Sequence, residues 1–380
     1  MSMSSPSLRA TPESTPRAPD SSERVIASSA DELIARVEEV MERLTGDASG
    51  DLTREMVLEH LATGGKRFRA RLALEAGRAL GAEPSFAVGW AAAVELLHNA
   101  TLVHDDIQDG DTIRRGKATV WARYGIEQAI NAGDFLLMLP YLAVAELDCE
   151  PAVKARLMTV LARSAVDCVR GQVYELQLKS LEEVPWQRYL RAVRGKTGAL
   201  LAMAVEGSAL LAGRSVDEAA AFAACFFPLG ELFQMQDDVL DLYGDKGRSE
   251  QASDLYEGKV SALVVAHLER HPEETTWLRA LLSAPRYATS PDDVRDAVER
   301  MRSGGALADV LGHIAAVEHE TRSSPVLAAE PDLQATALQL CRMAQLPIAH
   351  LTVGAAGVED PNQIPRSVRP CRMNLVTPSS

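Results

Sequence analysis

The sequence contains no uninterrupted apolar run long enough to span a membrane. A spanning helix needs ~18 to 20 apolar residues, whereas the two most apolar stretches are broken by Glu206 and by Asp134 with Pro140. The start of the chain also lacks the charged, then apolar, then small-residue pattern of a secretory signal. We therefore expect a protein that is not integral to a membrane.

Positive charge and cysteine are both scarce. The chain of 380 residues has a net charge of −14 and five cysteines, none of them in a CxxC or other metal-ligand spacing. A strongly negative chain disfavours nucleic acid and anionic membrane surfaces as partners. Scattered cysteines are typical of a reducing compartment, so we expect a cytoplasmic protein. Local groups of arginine and lysine then indicate specific sites for anions.

The alternating pattern of β-strands is also absent. Apolar residues recur instead at helical spacing, in segments separated by Gly, Pro or Asp, which predicts an all-α helical bundle. Residues 1–26 are rich in Ser, Pro and Thr, and we expect them to be disordered. Residues 27–351 are predicted to form one helical domain, whose first helix begins at a capping box of Ser29 and Glu32. Residues 352–380 are expected to form a loose tail.

Two DDxxD motifs each end an apolar helical stretch. Their aspartates are Asp105, Asp106 and Asp109 in the first motif and Asp237, Asp238 and Asp241 in the second. In each motif the first and last aspartate lie one helical turn apart, so their carboxylates repel each other on one face. Mg²⁺ relieves such repulsion and binds through one or two carboxylates together with substrate phosphates. Two such helices predict a central cavity that holds a magnesium-bound diphosphate, although a single acidic motif is more often a solvated helix end.

Cationic and polar residues stand close to glycine-marked breaks in the helical pattern. Glycine lets the backbone approach an anion, and a helix N-terminus adds partial positive charge. His98 precedes Asp105 by two turns and is either a phosphate contact or a core residue. The candidate phosphate contacts are Gly65, Lys66, Arg69, His98, Arg114, Arg115, Lys196, Thr197, Gln234 and Lys259.

Six ordered segments together resemble the trans-polyprenyl diphosphate synthases over about residues 30–350. These segments are GGKRFR, LLHNATLVHDDIQD, RRGKATVW, KTGAL, FQMQDDVLD and DLYEGKVS. The resemblance implies the isoprenoid-synthase fold and a homodimeric prenyltransferase that condenses isopentenyl diphosphate with an allylic diphosphate. It also implies about three Mg²⁺ ions per active site, which would neutralise the leaving diphosphate. The allylic C–O bond would ionise, the isopentenyl double bond would attack the carbocation, and proton loss, with the released diphosphate as candidate base, would complete the step.

The resemblance also gives each candidate residue a role. The six motif aspartates become metal ligands, and the implied catalytic residues are Asp105, Asp109, Lys196 and Asp237. The implied isopentenyl diphosphate contacts are Gly65, Lys66, Arg69, His98 and Arg115. The implied allylic diphosphate contacts are Arg114, Lys196, Thr197, Gln234 and Lys259. Between the second motif and Lys259 the chain departs from the family, and either Lys246 or Arg248 stands in for the usual lysine.

Residues one turn before the first motif are expected to form the upper wall of a tunnel for the growing chain. Both are small here, which by resemblance implies a product of C20 or longer. We expect geranylgeranyl diphosphate (C20), with a longer C25–C40 product as the alternative. The candidate chain-length residues are Ala100 and Thr101 in the wall, and Leu97, Phe135, Val94 and Met138 in the floor.

Two other functions stay open on the sequence alone. A class I terpene cyclase shares the fold and the first DDxxD, but it normally has a different second metal motif and needs no isopentenyl site. A non-catalytic subunit of a heteromeric synthase typically lacks motif carboxylates that this chain retains.

Overall fold

The described chain is almost entirely helical. The structure, a computed structural model, describes residues 21–47, 50–180, 183–244 and 252–351, with side chains from residue 31 onward. Its α-helices are α1 (Ser21–Leu44), α2 (Leu52–Leu61), α3 (Phe68–Leu80), α4 (Pro84–Asp109), α5 (Val120–Tyr124), α6 (Ile126–Ala145), α7 (Pro151–Leu178), α8 (Trp186–Val193), α9 (Ala199–Leu211), α10 (Val216–Tyr243), α11 (Ser253–Tyr256), α12 (Ala262–Arg270), α13 (Thr275–Ser283), α14 (Pro291–Ser303), α15 (Ala306–Ser323), α16 (Pro325–Ala328) and α17 (Pro331–Gln345). The all-α prediction is confirmed.

Three kinds of short element complete the described fold. A π-helix (Arg194–Gly198) joins α8 to α9, and an antiparallel hairpin pairs β1 (Ile113–Arg114) with β2 (Lys117–Ala118). Three 3₁₀ turns lie at Pro272–Glu274, Arg286–Ala288 and Leu346–Ile348.

The first helix begins earlier than the sequence predicted. It starts at Ser21 and runs through Ser29, so the predicted cap at Ser29 is wrong, whereas the predicted domain bounds stay predictions. The stretch 21–30 contains neither glycine nor proline, and nothing in it stops a helix. Residues 1–20, the tail 352–380, and the segment with Lys246 and Arg248 lie outside the described residues.

A continuous apolar core extends from Ile34 to Ile348. Helix α4 packs on α3 and α6, and α9 packs on α3 and α10. Helix α9 is apolar on almost every side and is buried from Ala199 to Leu210, which is typical of a central helix. The first acidic motif ends α4 and the second lies in the last turns of α10, so the core helices themselves hold the two motifs.

Two helices, α4 and α6, are long and apolar enough to cross a membrane by length and composition alone. The most apolar window of α4 is 78% buried inside the bundle, as in the core helix of a soluble protein, whereas that of α6 is 44% buried. Helix α6 keeps an apolar outer stripe, formed by Ile126, Ile130, Met138 and Leu142.

Candidate active site

A polar cleft opens between the end of α4, the π-helix and the last turns of α10. It encloses about 850 Å³, including space open to solvent. Among the predicted site residues, those that line it are Asp109, Lys196, Thr197, Gln234, Asp237, Asp238 and Lys259. The structure therefore brings both acidic motifs and most of the predicted allylic contacts to one cleft.

Lys196 bridges two acidic side chains at the edge of the cleft. Its Nζ lies 2.6 Å from Glu175 Oε2 and 3.5 Å from Asp105 Oδ2. Burial raises the pKa of Asp105 to about 6, although the charge of Lys196 opposes the rise. Burial alone would lower the pKa of Lys196, but Glu175 and Asp105 outweigh it and the net pKa is raised. The ammonium group therefore stays charged at neutral pH and ready to contact an anion.

Asp106 is buried and is not among the described lining residues of the cleft. The Nε of Arg114 donates to Asp106 Oδ1 at 2.7 Å, while Oδ2 is buried and has no hydrogen-bond partner among the described residues. Burial raises the pKa of Asp106, and the bond from Arg114 opposes the rise. In this structure Arg114 holds Asp106 and does not line the described part of the cleft. Their predicted roles in metal and allylic diphosphate binding stay predictions.

Asp238 is enclosed by protein donors at the cleft wall. Its Oδ2 accepts from the Tyr189 hydroxyl at 2.8 Å and from the Ala262 backbone N–H at 2.7 Å, and its Oδ1 accepts from Gln234 Nε2 at 3.0 Å. Burial raises the pKa of Asp238 to about 6, and these donors oppose the rise. Asp238 thus anchors the wall as well as lining it.

Asp241 is buried beneath the cleft. Its carboxylate accepts from the Ser253 hydroxyl at 2.7 Å and from the Asp254 backbone N–H at 2.9 Å. Within the described part of the cleft wall, the second motif contributes Asp237 and Asp238 but not Asp241. The assignment of Asp241 as a metal ligand stays a prediction.

Lys259 supplies a second cation to the cleft. Its Nζ lies 2.8 Å from Glu257 Oε2 and 3.9 Å from Asp254 Oδ1. Burial lowers the pKa of Lys259, but the hydrogen bond to Glu257 and the charge of Asp254 outweigh it, so the net pKa is raised. Lys196 and Lys259 therefore both place positive charge beside the acidic residues of the cleft.

A second cationic group forms where α3 begins beside α4. Arg69 Nη1 and His98 Nε2 lie 2.9 Å apart. Burial, followed by the charge of Arg69, lowers the pKa of His98 well below its ordinary value. The imidazole is therefore neutral and accepts from Arg69, which places its proton on Nδ1.

Arg115 completes this cationic group. Its guanidinium donates to the Gly64 carbonyl and lies over Gly65, where a Cβ would overlap it. Gly65 has φ +130°, which also favours glycine.

Burial lowers the pKa of Arg69, and the negative charges of Glu95 and Asp105 are among those that oppose this decrease. Asp105 is thus in electrostatic range of both Lys196 and Arg69 and connects the two cationic groups. Lys66 is exposed at the entry to α3.

None of the predicted chain-length residues belongs to the described cleft lining. Ala100 and Leu97 are buried, whereas Thr101 and Phe135 are half-buried. Met138 is 53% exposed on the outer stripe of α6, and its place in the floor of a tunnel stays a prediction. The face of α6 that is buried in the bundle consists mainly of small residues and leucines.

Several cleft residues were missed by the sequence analysis. Tyr189, Lys179, Asp254 and Ser261 all line the cleft. Asp254 and Ser261 stand within the segment DLYEGKVS, which was an available signal. Tyr189 comes from α8 and Lys179 follows α7, and no local pattern distinguishes either from an ordinary helix residue.

The donor chemistry of the cleft fits Mg²⁺. The described ranges contain no group of three or more His, Cys, Asp or Glu side chains that alone could hold a metal ion. Magnesium rarely uses an all-protein cage and is usually held by one or two carboxylates plus substrate phosphates. Asp105 and Asp109 on α4 and Asp237 on α10 provide such incomplete carboxylate sets, which diphosphate oxygens would complete.

Comparisons with known proteins identify the family of the chain. Residues 51–301 match the model of the polyprenyl synthetase family. The geranylgeranyl diphosphate synthase of Mycobacterium tuberculosis is 36% identical over 287 residues, which cover 73% of this chain and 80% of that protein. A (2E,6E)-farnesyl diphosphate synthase of the same species is 38% identical over 182 residues, which cover 47% of this chain and 50% of that protein.

Solved structures show the same fold. The polyprenyl synthase from Caulobacter crescentus CB15, complexed with calcium and isoprenyl diphosphate, superimposes with a TM-score of 0.73 at 28% identity. The match covers 87% of this chain and 98% of that one. The chain therefore belongs to the polyprenyl synthetase family and is a prenyltransferase with the isoprenoid-synthase fold.

Proposed function

We propose that the chain condenses isopentenyl diphosphate with an allylic diphosphate, with geranylgeranyl diphosphate as the main product. The observation that carries this proposal is the pairing of two separate cationic groups with one acidic cleft. Lys196 and Lys259 serve the cleft, whereas Arg69 and Arg115 form the second group beside His98. A terpene cyclase binds a single diphosphate and has no use for the second group.

The two groups divide the substrates between them. Lys196, Thr197 and Lys259 bind the allylic diphosphate, while Arg69 and Arg115 bind the isopentenyl diphosphate. Neutral His98 fixes the guanidinium of Arg69 and limits repulsion within the group. Holding both substrates on one rigid frame supplies much of the reduction in barrier.

Asp105, Asp109 and Asp237 would hold Mg²⁺ against the allylic diphosphate. When bound, the metal neutralises charge on the leaving diphosphate as a Lewis acid. Lys196 adds an ammonium to the same leaving group, and the buried surroundings of Asp105 strengthen that electrostatic effect. Asp238 and Tyr189 keep the α10 wall in place.

The small side chains of Ala100 and Thr101 support the C20 product. Both lie four to five residues before Asp105 on α4, where a bulky side chain would obstruct a lengthening chain. The relative named geranylgeranyl diphosphate synthase shares a longer stretch with this chain than the relative named farnesyl diphosphate synthase does. A longer C25–C40 product is the second candidate, favoured by the absence of bulk at the same positions.

A homodimer is part of the proposal. Helix α7 has an exposed apolar stripe of Val166, Val169, Val173 and Leu176, and α7 packs beside α6 with its own outer stripe. Contiguous exposed apolar surface on a water-exposed bundle is typical of a protein–protein interface. A second copy of the chain is the occupant proposed here, and the scattered cysteines support a cytoplasmic setting for the dimer.

The test is a product assay with purified protein and Mg²⁺. Isopentenyl diphosphate is supplied with each of the C5, C10 and C15 allylic diphosphates, and the dephosphorylated products are separated by chain length. A discrete C20 alcohol is expected, and a ladder of longer alcohols would replace the C20 assignment. Asp105→Ala and Asp237→Ala should abolish turnover, with His319→Gln, a change at an exposed site, as the control. No elongation by folded wild-type protein would overturn the proposal.

A further inference from the structure

A buried ionic cluster lies behind the cleft. Glu231 on α10 is fully buried and accepts a hydrogen bond from the guanidinium of Arg194, the first residue of the π-helix. Nε2 of fully buried His313, on α15, lies 3.2 Å from the other carboxylate oxygen of Glu231. None of these three residues is in the described cleft lining. The cluster therefore connects α10, α15 and the π-helix without touching the substrate space.

The π-helix is seated between α7 and α10 by glycine contacts. A Cβ on Gly230 would overlap the backbone of Gly198, and a Cβ on Gly195 would overlap the backbone of Gly171. These contacts allow the π-helix to approach α7 and α10 closely. Contacts between glycine backbones, however, do little to prevent the π-helix from rotating or sliding against its neighbours. Charged contacts at two points of the π-helix supply that restraint: Lys196 to Glu175 on α7, and Arg194 to Glu231 on α10.

The same cluster reaches the second acidic motif. Glu231, Gln234 and Asp238 share one face of α10, at intervals of about one turn. The Trp186 ring lies tilted against the rings of His313 and Tyr189, with centroids 5.3 Å and 5.5 Å apart. The Tyr189 hydroxyl donates to Asp238. A continuous line of buried contacts thus leads from Glu231 to the cleft wall.

Stability alone does not account for this cluster. Removing two charges from water costs about as much as their attraction returns, and apolar replacements are often neutral or stabilising. Such a pair is best explained by the geometry that it selects. We propose that Glu231, together with Arg194 and His313, is a positioning residue that orients the π-helix so that Lys196 and Thr197 face the allylic diphosphate. This inference rests on the proposed function for the identity of the ligand.

Steady-state kinetics of Glu231→Gln tests the proposal. Loss of the carboxylate charge should release Arg194 and raise KM for the allylic diphosphate about tenfold, the effect of one misplaced charged contact. KM for isopentenyl diphosphate, which binds the other cationic group, should not change. Arg194→Gln should act in the same way, and the double variant should be no worse than either single one, because the changes remove one shared interaction.

Glu206→Gln is the matched control. Glu206 is also a buried glutamate on a central helix, paired with Arg163 on α7, and it lies outside the described cleft lining. It should lower the melting temperature without changing either KM. If Glu231→Gln does not fold, Arg194→Lys keeps the positive charge and should give a smaller rise in the same KM. An unchanged KM for the allylic diphosphate in folded Glu231 and Arg194 variants would overturn the proposal.

Hydrogen exchange of the ligand-free protein separates this inference from the proposed function. Amides of residues 194–198 should exchange faster in Glu231→Gln than in wild type, whereas Glu206→Gln should leave them protected. Wild-type protein that elongates no primer would overturn the proposed function, and the exchange result would then decide the positioning role by itself. Unchanged exchange at the π-helix in Glu231→Gln would overturn that role.

Discussion

At the scale of single residues, two buried histidines make the fold sensitive to acid. Burial, and then the charge of Arg114, lowers the pKa of His60 to about 3. The pKa of His98 is lowered well below its ordinary value by burial and then by Arg69. Both side chains therefore stay neutral in the folded chain at a pH where the unfolded chain binds protons.

The sign of the pH effect follows from these shifts. A pKa that is lower in the folded chain gives stability that is present above about pH 6.5 and is lost as the pH falls below it. From these two groups, the free energy of unfolding should fall by up to ~2.7 kcal/mol per pH unit in this acidic range. Asp105 and Asp238, whose pKa values are raised to about 6, contribute with the opposite sign, so the share of His60 is measured as a difference between variants. In urea denaturation across this range, the slope of His60→Gln should differ from that of wild type by up to ~1.4 kcal/mol per pH unit. Exposed His319→Gln should keep the wild-type slope, and an unchanged slope in His60→Gln would contradict the assignment.

Residue types and spacing predicted part of the cleft lining but not its local bonding. Seven predicted residues line it, because carboxylates at one-turn spacing and cations at helix breaks leave clear signals in sequence. The bond of Arg114 to Asp106 depends on how the hairpin folds back on the end of α4, and that of Tyr189 to Asp238 joins helices 49 residues apart in the chain. No local pattern encodes such pairs.

At the scale of elements, the long central helices were predictable and the short elements were not. Helices α4 and α10 carry sustained apolar patterns that end in acidic motifs. The break at 194–198 was recognised from its glycines, but its π-helical form depends on backbone contacts with Gly171 and Gly230 in other helices. The hairpin β1–β2 is only two residues long on each side, too short for an alternating pattern.

The face of α4 before its acidic motif should determine product length. Helical side chains lean toward the N-terminus, so Ala100 covers the surface one turn below Asp105. Ala100→Phe should block chain growth there and shift the main product from C20 to C15 or shorter. Ala100 is fully buried, so overpacking should also cost about 1–3 kcal/mol of stability.

A control separates the block from overpacking. Ala337 on α17 is equally buried, and Ala337→Phe should destabilise the fold without altering product length. Chromatography of the alcohol products and thermal unfolding of both variants provide the comparison. A C20 product from folded Ala100→Phe would show that Ala100 does not line the path of the growing chain.

At the scale of the whole molecule, charge and apolar surface favour different outcomes. A net charge of −14 keeps chains apart in solution. The stripes on α6 and α7 nevertheless expose valine, isoleucine, leucine and methionine side chains, including Val169 at 64% exposure. Association through these stripes would remove apolar surface from water, and Glu residues elsewhere would remain solvated. A specific, closed dimer satisfies both tendencies better than open aggregation does.

Placing a carboxylate in the α7 stripe should therefore disrupt the proposed dimer. Val169→Glu and Val173→Glu would each bury an unpaired charge in a dry interface, at a cost of several kcal/mol. Sedimentation equilibrium at micromolar concentration should give twice the chain mass for wild type and the single-chain mass for the variants. Met343→Glu, at a similarly exposed apolar site on α17, should remain dimeric. A monomeric wild type, or variants with the same mass as wild type, would exclude this face as the interface between subunits.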